Sequence, residues 1–155
     1  GFGQQGYGYN VDQLAAEIER ILCLDNCLPT ILIGVGNLGR ALSSFLCDAK
    51  GIRLIGLFDK SPKNVMDINP ELKVMSTAML DEFCAEHHPR VAILCIPGEH
   101  AQPMAQKLVS LGIEGFWNFT HVDRRLDDSI CVENVHLGDS LMTLCYNINT
   151  NGGQQ

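Results

Sequence analysis

The sequence lacks several features that would assign it to a specific class. No stretch approaches the roughly 18 consecutive apolar residues of a membrane span, and no charged segment leads into an apolar one as in a secretory signal. Basic residues are scarce, since 11 Lys and Arg stand against 18 Asp and Glu and the net charge is −7. We therefore expect no membrane partner and no basic face for nucleic-acid phosphates in this chain.

Zinc-binding spacing is also missing from the cysteines. All seven are irregularly placed, without a Cys-x-x-Cys pair, so we expect free, mostly buried thiols in a cytoplasmic protein and no metal site. Cys23 and Cys27 lie four residues apart near the end of a predicted helix. They are the only pair that we would test for a redox role.

The composition that is present indicates one folded domain. The chain has 155 residues, of which 46% are hydrophobic and 19% charged, and this length can bury a real core. Residues 1–9 contain four glycines and are typical of a linker. We expect the folded core over 10–150 and a polar tail over 151–155.

Strand and helix patterns alternate along the chain. Strands are predicted at 30–33, 52–58, 72–75, 91–96, 115–118 and 130–133, and helices at about 11–24, 38–50, 76–87, 99–111 and 137–149. Pro29 is expected to end the first helix segment before the first strand. This alternation predicts an α/β fold, namely a Rossmann-like, doubly wound, mainly parallel sheet.

A glycine-rich motif lies between the first predicted strand and the helix that follows it. Its six residues are Gly34, Val35, Gly36, Asn37, Leu38 and Gly39. In this context the first glycine permits a tight turn, the second lets the backbone approach a pyrophosphate, and the third allows close helix–strand packing. The pyrophosphate would then lie at the positive end of the helix dipole.

An acidic residue stands where a dinucleotide site needs one. Asp59 ends the second predicted strand, 20 residues after Gly39, which is the usual place for a carboxylate that binds the adenosine ribose. This favours NAD(H) over NADP(H), although Lys60 and Lys63 could soften the repulsion of a 2′-phosphate. The alternative is a glycine turn that packs without ligand and an Asp59 that only ends a strand.

Seven segments, in chain order, are similar to the core domain of the Rex redox-sensing transcriptional repressors. They are FGQQGYGYNV at 2–11, GNLGRAL at 36–42, FD at 58–59, IP at 96–97, GIxG at 112–115, NF at 118–119 and VENV at 132–135. The resemblance implies an NAD(H) sensor that binds NADH in preference to NAD⁺ and catalyses no reaction. It further implies a homodimer in which the last helix reaches across the partner. Operator DNA would be bound only by an N-terminal winged-helix domain that this chain does not include, and NADH would release the full-length protein.

The resemblance also extends the candidate site beyond the glycine motif. Ile96 and Pro97 would border the cofactor, and Asn118, Phe119 and Thr120 end the next strand, where they could line the nicotinamide pocket. Phe119 could instead be core, and Glu99 and His100 could belong to an ordinary strand–helix turn. His136 stands where several Rex proteins have an aspartate, so either the polar network there is rearranged or His136 is a solvated helix-start residue.

Two other functions fit the same pattern. A small NAD-dependent oxidoreductase would share the cofactor motif but would need an acid or base beside the nicotinamide, and the sequence has no Tyr-x-x-x-Lys. A CoA-binding domain uses a similar fold and glycine turn. Asp59 favours NAD(H) over CoA, because a carboxylate suits a free ribose better than a phosphorylated one.

Overall fold

The computed structural model describes residues 10–25, 27–47, 51–64, 71–120 and 126–153. For residues 19–25, 64, 152 and 153 it describes the backbone only. The predicted linker at 1–9 lies outside these ranges. Within them, six strands form one sheet with the order β3-β2-β1-β4-β5-β6. The strands are β1 (Leu28–Ile33), β2 (Ile52–Asp59), β3 (Val74–Ser76), β4 (Val91–Leu94), β5 (Gly115–Asn118) and β6 (Cys131–Asn134).

Every neighbouring pair in this sheet is parallel. The helices between the strands are α1 (Val11–Asp25), α2 (Asn37–Leu46), α3 (Leu80–His87), α4 (Gly98–Ser110) and α5 (Leu137–Gly153), with short 3-10 turns at Pro62–Asn64 and Thr77–Met79. The doubly wound, parallel α/β architecture predicted from the sequence is therefore confirmed.

Several predicted boundaries differ from the observed ones. Pro29 does not precede β1 but lies within it, where its carbonyl accepts a hydrogen bond from the Arg90 amide at 2.8 Å. A proline is tolerated near the start of a strand because its missing N–H is not needed there. β3 is displaced to Val74–Ser76 because its register is set by pairing with the end of β2. α5 continues to Gly153, into the segment predicted as a tail.

Both faces of the sheet are covered, as a parallel sheet requires. On one face Ile31 and Ile33 pack with Leu80 of α3 and Leu108 of α4. On the other face the core cluster contains Leu32, Leu57, Ile93 and Leu46, the last of these from α2. These two layers fix the carboxyl ends of β1, β2 and β4 relative to one another.

α1 and α5 contribute nothing to the two core clusters over the side chains that the structure describes. Leu14 and Ile18 of α1 are 37% and 49% exposed. Along α5 every described side chain is exposed. Among the helices that the structure describes, none is both long and apolar enough to cross a membrane.

Candidate functional site

The candidate site lies where the strand order reverses, between β1 and β4. The chain leaves β1 into α2 on one face of the sheet and leaves β4 into α4 on the other face. In open α/β sheets this divergence opens a crevice at the carboxyl ends of the strands, where ligands bind. The glycine motif follows β1 directly and therefore forms the floor of this crevice.

The three glycines of the motif have different surroundings. Gly34 has a φ of +98°, and a Cβ there would lie 2.6 Å from the Cys95 carbonyl oxygen. A Cβ on Gly39 would lie 2.0 Å from the Gly34 carbonyl oxygen, so both positions exclude any side chain. Gly36 has no atom within 4 Å of the place where its Cβ would be. The space at Gly36 is therefore open for a ligand rather than filled by protein.

The first turn of α2 begins at this open space. Gly36 is the N-cap and supplies no side-chain hydrogen bond to the helix, and its carbonyl accepts the first helical bond from the Arg40 amide at 2.9 Å. The amides of Asn37, Leu38 and Gly39 therefore have no side-chain cap at the positive end of the helix dipole. Such an end can bind a phosphate or pyrophosphate.

Asp59 lies beside the motif and is hydrogen-bonded to it. Its Oδ2 accepts from the Val35 amide at 2.9 Å and its Oδ1 accepts from the Ser61 amide at 2.9 Å. The carboxylate thus joins the end of β2 to the glycine turn. Each oxygen retains a second lone pair that could accept a hydrogen bond from a ribose hydroxyl.

A cleft of about 500 Å³ extends from the glycine motif between the end of β2 and α4. Six residues predicted from the sequence line it, namely Gly34, Gly36, Asp59, Lys60, Ile96 and Pro97. Seven further residues complete its wall: Ile33, Thr77, Cys95, His100, Pro103, Met104 and Lys107. Of these seven, only His100 was weighed as a site residue from the sequence.

Three of the α4 residues, Pro103, Met104 and Lys107, could not be predicted from the sequence pattern. His100, Pro103, Met104 and Lys107 recur at i, i+3, i+4 and i+7, which places them on one helix face. A mixed stripe of one apolar residue, one proline and two polar residues gives no clear burial signal in a sequence. Lys107 is held by Asp81 of α3 at 3.2 Å, so its position depends on a contact that the sequence does not reveal.

Seven predicted residues do not line this cleft: Val35, Asn37, Leu38 and Gly39 belong to the glycine motif at its floor, and Asn118, Phe119 and Thr120 lie at the end of β5. Asn118 is fully buried, donates to Asn134 Oδ1 at 2.7 Å and accepts from Thr120 Oγ1 at 2.7 Å. Phe119 packs edge-on against Trp117, with ring centroids 4.6 Å apart. These residues lie at the ends of β5 and β6, one strand beyond the cleft, and their contact with a ligand stays a prediction.

Cys95 is the one thiol in the cleft wall. Burial raises its pKa to about 12, because the surrounding protein disfavours the thiolate. It is therefore neutral at physiological pH and a poor nucleophile. The Cys23 side chain lies outside the described residues, and a redox role for the Cys23–Cys27 pair stays a prediction. Among the described residues no group of three or more His, Cys, Asp or Glu could hold a metal ion.

Residues 26–122 match the family model of the CoA binding domain, so this segment belongs to that family. The redox-sensing transcriptional repressor Rex of Caldanaerobacter subterraneus subsp. tengcongensis is 44% identical over 96% of this chain and 67% of the relative. The chain belongs to the Rex family of redox-sensing transcriptional repressors. The resemblance predicted from the sequence motifs is thereby confirmed.

Two solved Rex-family structures share the fold and have known ligands. One is a crystal structure of the repressor RSP in complex with β-NADH, which is 38% identical with a TM-score of 0.80 over 97% of this chain and 73% of that one. The other is RSP with β-NAD⁺ and operator DNA, 42% identical with a TM-score of 0.80 over 98% of this chain and 70% of that one. The Rex-family relatives are transcription regulators.

Proposed function

We propose that this chain is the NAD(H)-binding sensor core of a Rex-family repressor. The observation that carries the proposal is the open space at Gly36, between the uncapped start of α2 and the Asp59 carboxylate. A pyrophosphate accepts hydrogen bonds from the α2 amides, and the adjoining ribose donates to Asp59. NADH and NAD⁺ bound to RSP support the choice of dinucleotide.

The two halves of the dinucleotide take different parts of the site. The adenosine half occupies the cleft beyond Asp59, where Ile96, Pro103 and Met104 offer apolar surface to a flat base. The nicotinamide half lies toward the ends of β4 and β5, bordered by Pro97 and by residues 118–120. Lys60 is exposed at the rim and is available to screen phosphate charge.

The chain senses the dinucleotide rather than turning it over. Bound NAD(H) supplies hydride chemistry only where a second substrate and a proton donor are positioned beside it. Of the titratable groups in the described cleft wall, the Cys95 thiol is held neutral, and Lys107 and His100 are engaged with Asp81 and Glu99. Asp59 accepts from the Val35 and Ser61 amides, and Lys60 is exposed at the rim. The function of the Rex-family relatives as regulators supports the same conclusion.

The protein works as a homodimer through α5. Leu141, Leu144 and Ile148 are 60%, 54% and 60% exposed and lie on one stripe of this helix. Exposed apolar surface of this extent marks an interface, and two-fold pairing is the commonest arrangement. The Rex resemblance implies that operator DNA is bound by an N-terminal winged-helix domain outside this sequence and that NADH releases it. The net charge of −7 supports this, because this chain offers no excess of positive charge to DNA phosphates. The described cysteines are free thiols, which suits a cytoplasmic location. The expectation that they are mostly buried is wrong, because Cys27, Cys47, Cys131 and Cys145 are exposed.

Fluorescence titration with NADH, followed by competition with NAD⁺, NADPH and CoA, tests the proposal. We expect NADH to bind most tightly, CoA most weakly, and no NADH oxidation with common carbonyl compounds. Preferential binding of CoA would overturn the ligand assignment and favour a CoA-binding module. Steady NADH oxidation would instead favour a small oxidoreductase.

A further inference from the structure

A cluster of hydrogen-bonded polar side chains lies at the carboxyl ends of β5 and β6. Asn118 has no exposed surface, and Thr120 is 4% exposed. Asn118 Nδ2 donates to Asn134 Oδ1 at 2.7 Å, and Asn118 Oδ1 accepts from the Thr120 amide at 3.1 Å and from the Thr120 hydroxyl at 2.7 Å. A backbone amide can only donate, so the bond from Thr120 fixes which way the Asn118 side chain points. We call Asn118, Thr120 and Asn134 the amide cluster.

The amide cluster differs from the other buried polar residues in the described part of the chain. Thr30 and Ser43 are also buried, but each hydroxyl donates to a backbone carbonyl two or three residues earlier in the sequence. The bond between Asn118 and Asn134 instead joins two strands. A buried amide pair gains little net stability over an apolar pair of the same shape, so its main effect is to fix the geometry of the groups that it joins.

The geometry fixed here is that of the turn at residues 118–120. The Phe119 amide donates to the Leu94 carbonyl of β4 at 3.0 Å, which holds the start of the turn. Thr120 is held through its two bonds to the Asn118 side chain. Asn134 holds that same side chain from β6. The position of the turn therefore depends on a residue of the neighbouring strand.

This turn and the cleft lie on opposite sides of the glycine motif. In the sheet order, Asp59 ends β2 on one side of β1, and the turn follows β5 on the other side. Two strand spacings, about 10 Å, separate β5 from β1. With the pyrophosphate at the start of α2 and the adenosine half in the cleft, the nicotinamide half leaves the motif toward this turn.

Resting on the proposed NAD(H) function, we propose that Asn134 is a positioning residue for the nicotinamide ring. Through Asn118 it holds the turn at residues 118–120 that borders the ring. Asn134 itself lies on the edge strand and does not contact the dinucleotide. Its loss should therefore weaken binding of the ring and leave binding of the rest of the dinucleotide unchanged.

The experiment compares NADH with ADP-ribose, which lacks only the nicotinamide ring. Both are titrated by calorimetry against the wild-type chain and the Asn134→Ala variant. The wild-type chain should bind NADH about tenfold more tightly than ADP-ribose, since the ring adds contacts. In Asn134→Ala the NADH affinity should fall about fivefold, the effect of one neutral hydrogen bond, which leaves a preference of about twofold. The affinity for ADP-ribose should not change.

Two control variants separate positioning from stability. Asn134→Asp retains an acceptor oxygen for the Asn118 amide and should keep the preference for NADH. Val132 lies on the same strand and packs against the core. Val132→Ala should lower the unfolding temperature by a few degrees without changing either affinity.

Thr120→Val tests the amide cluster from its other end. It keeps the shape of the side chain, removes the hydroxyl bond to Asn118 and should also reduce the preference for NADH. The inference thus stays testable if Asn134→Ala does not fold.

Equal loss of NADH and ADP-ribose affinity in Asn134→Ala, or an unchanged preference in Asn134→Ala or Thr120→Val, overturns the inference. The same loss of preference in Asn134→Asp or Val132→Ala overturns it too. Equal binding of NADH and ADP-ribose by the wild-type chain would show that the turn does not border the ring, which is a further contradiction. If the wild-type chain binds neither ligand, the proposed function itself is wrong.

Discussion

The central strands and α5 both carry large apolar side chains, but these side chains are buried to very different degrees. Leu32 and Ile33 of β1 have no exposed surface, whereas Leu141 and Leu144 of α5 are 60% and 54% exposed. β1 lies between two neighbouring strands and two helix layers, while α5 follows the edge strand β6. Hydrophobicity alone therefore does not decide burial. The sheet forms its own core, whereas the apolar side chains of α5 would be covered by the proposed dimer.

The largest effect on the stability of the sheet is expected from a substitution in the glycine motif. Gly39→Ala should disrupt folding, because its Cβ would lie 2.0 Å from the Gly34 carbonyl oxygen and the backbone on both sides would have to move apart. We expect a loss of several kcal/mol in unfolding free energy, comparable to overpacking a tight core, and no measurable dinucleotide binding. Thermal unfolding and titration with NADH measure the two effects.

Gly36→Ala is the matched control for that change. It adds the same methyl group three residues earlier, where no atom lies within 4 Å. The chain should keep its unfolding temperature within a few degrees and lose most of its NADH affinity, because the methyl fills the ligand's space. If both variants unfold alike, the difference between the two glycines is not the steric one described here.

The second test concerns α5. Leu141→Asp combined with Leu144→Asp places two charges on its apolar stripe and should dissociate the proposed dimer. Burying each leucine contributes about 1.5–3 kcal/mol, so the dissociation constant should rise by about a hundredfold or more. Sedimentation measures the dimer, and the unfolding of the sheet should change little.

Thr143→Asp combined with Thr150→Asp is the control for charge. It adds the same two charges to the other side of α5, since at 3.6 residues per turn both positions lie about 100° or more around the helix from each stripe residue. This control should remain dimeric. If the leucine double variant remains dimeric, the interface lies elsewhere, and α5 does not differ from the sheet by needing a partner surface.

The sheet and the glycine turn could be predicted from sequence patterns, but about half of the residues that line the cleft could not. The apolar strands and the 20-residue spacing from Gly39 to Asp59 are local features, so they can be read directly. The α4 wall depends on contacts between distant segments, such as Lys107 with Asp81. The boundary of β3 depends likewise on its pairing with β2. Such contacts are decided by packing, which a single sequence does not display.

A third prediction sharpens the role of Asp59 at the edge of the sheet. Asp59→Ala removes the acceptor of the Val35 and Ser61 amides as well as the proposed ribose contact. NADH affinity should fall ten- to hundredfold, corresponding to about 1.5–3 kcal/mol for charged hydrogen bonds. Discrimination against NADPH should also decrease, because the carboxylate no longer repels a 2′-phosphate.

Asp59→Asn separates these contributions. Asparagine keeps one acceptor oxygen and the size of the side chain but removes the charge. It should retain more of the unfolding temperature than alanine, while its discrimination against NADPH should fall about as far. Unchanged affinities for both dinucleotides in both variants would mean that Asp59 only holds the turn.

The smallest expected effect compares the partly buried Cys95 with the exposed cysteines. Because burial raises the Cys95 pKa to about 12, the folded chain keeps this thiol neutral after the unfolded thiol has begun to ionise near its ordinary value. Cys95 therefore contributes stability below that value and loses the contribution as the pH rises toward 12. Between pH 8 and 10 the unfolding free energy of the wild-type chain should fall by about 1 kcal/mol more than that of Cys95→Ala.

Alkylation provides a second measurement. At pH 8 the reagent should label the exposed Cys27 and Cys131 well before Cys95, since the thiolate is the nucleophile. Equal labelling rates, or parallel stability curves for the two chains, would show that the cleft wall is open to solvent and that this edge of the sheet is less closed than its centre.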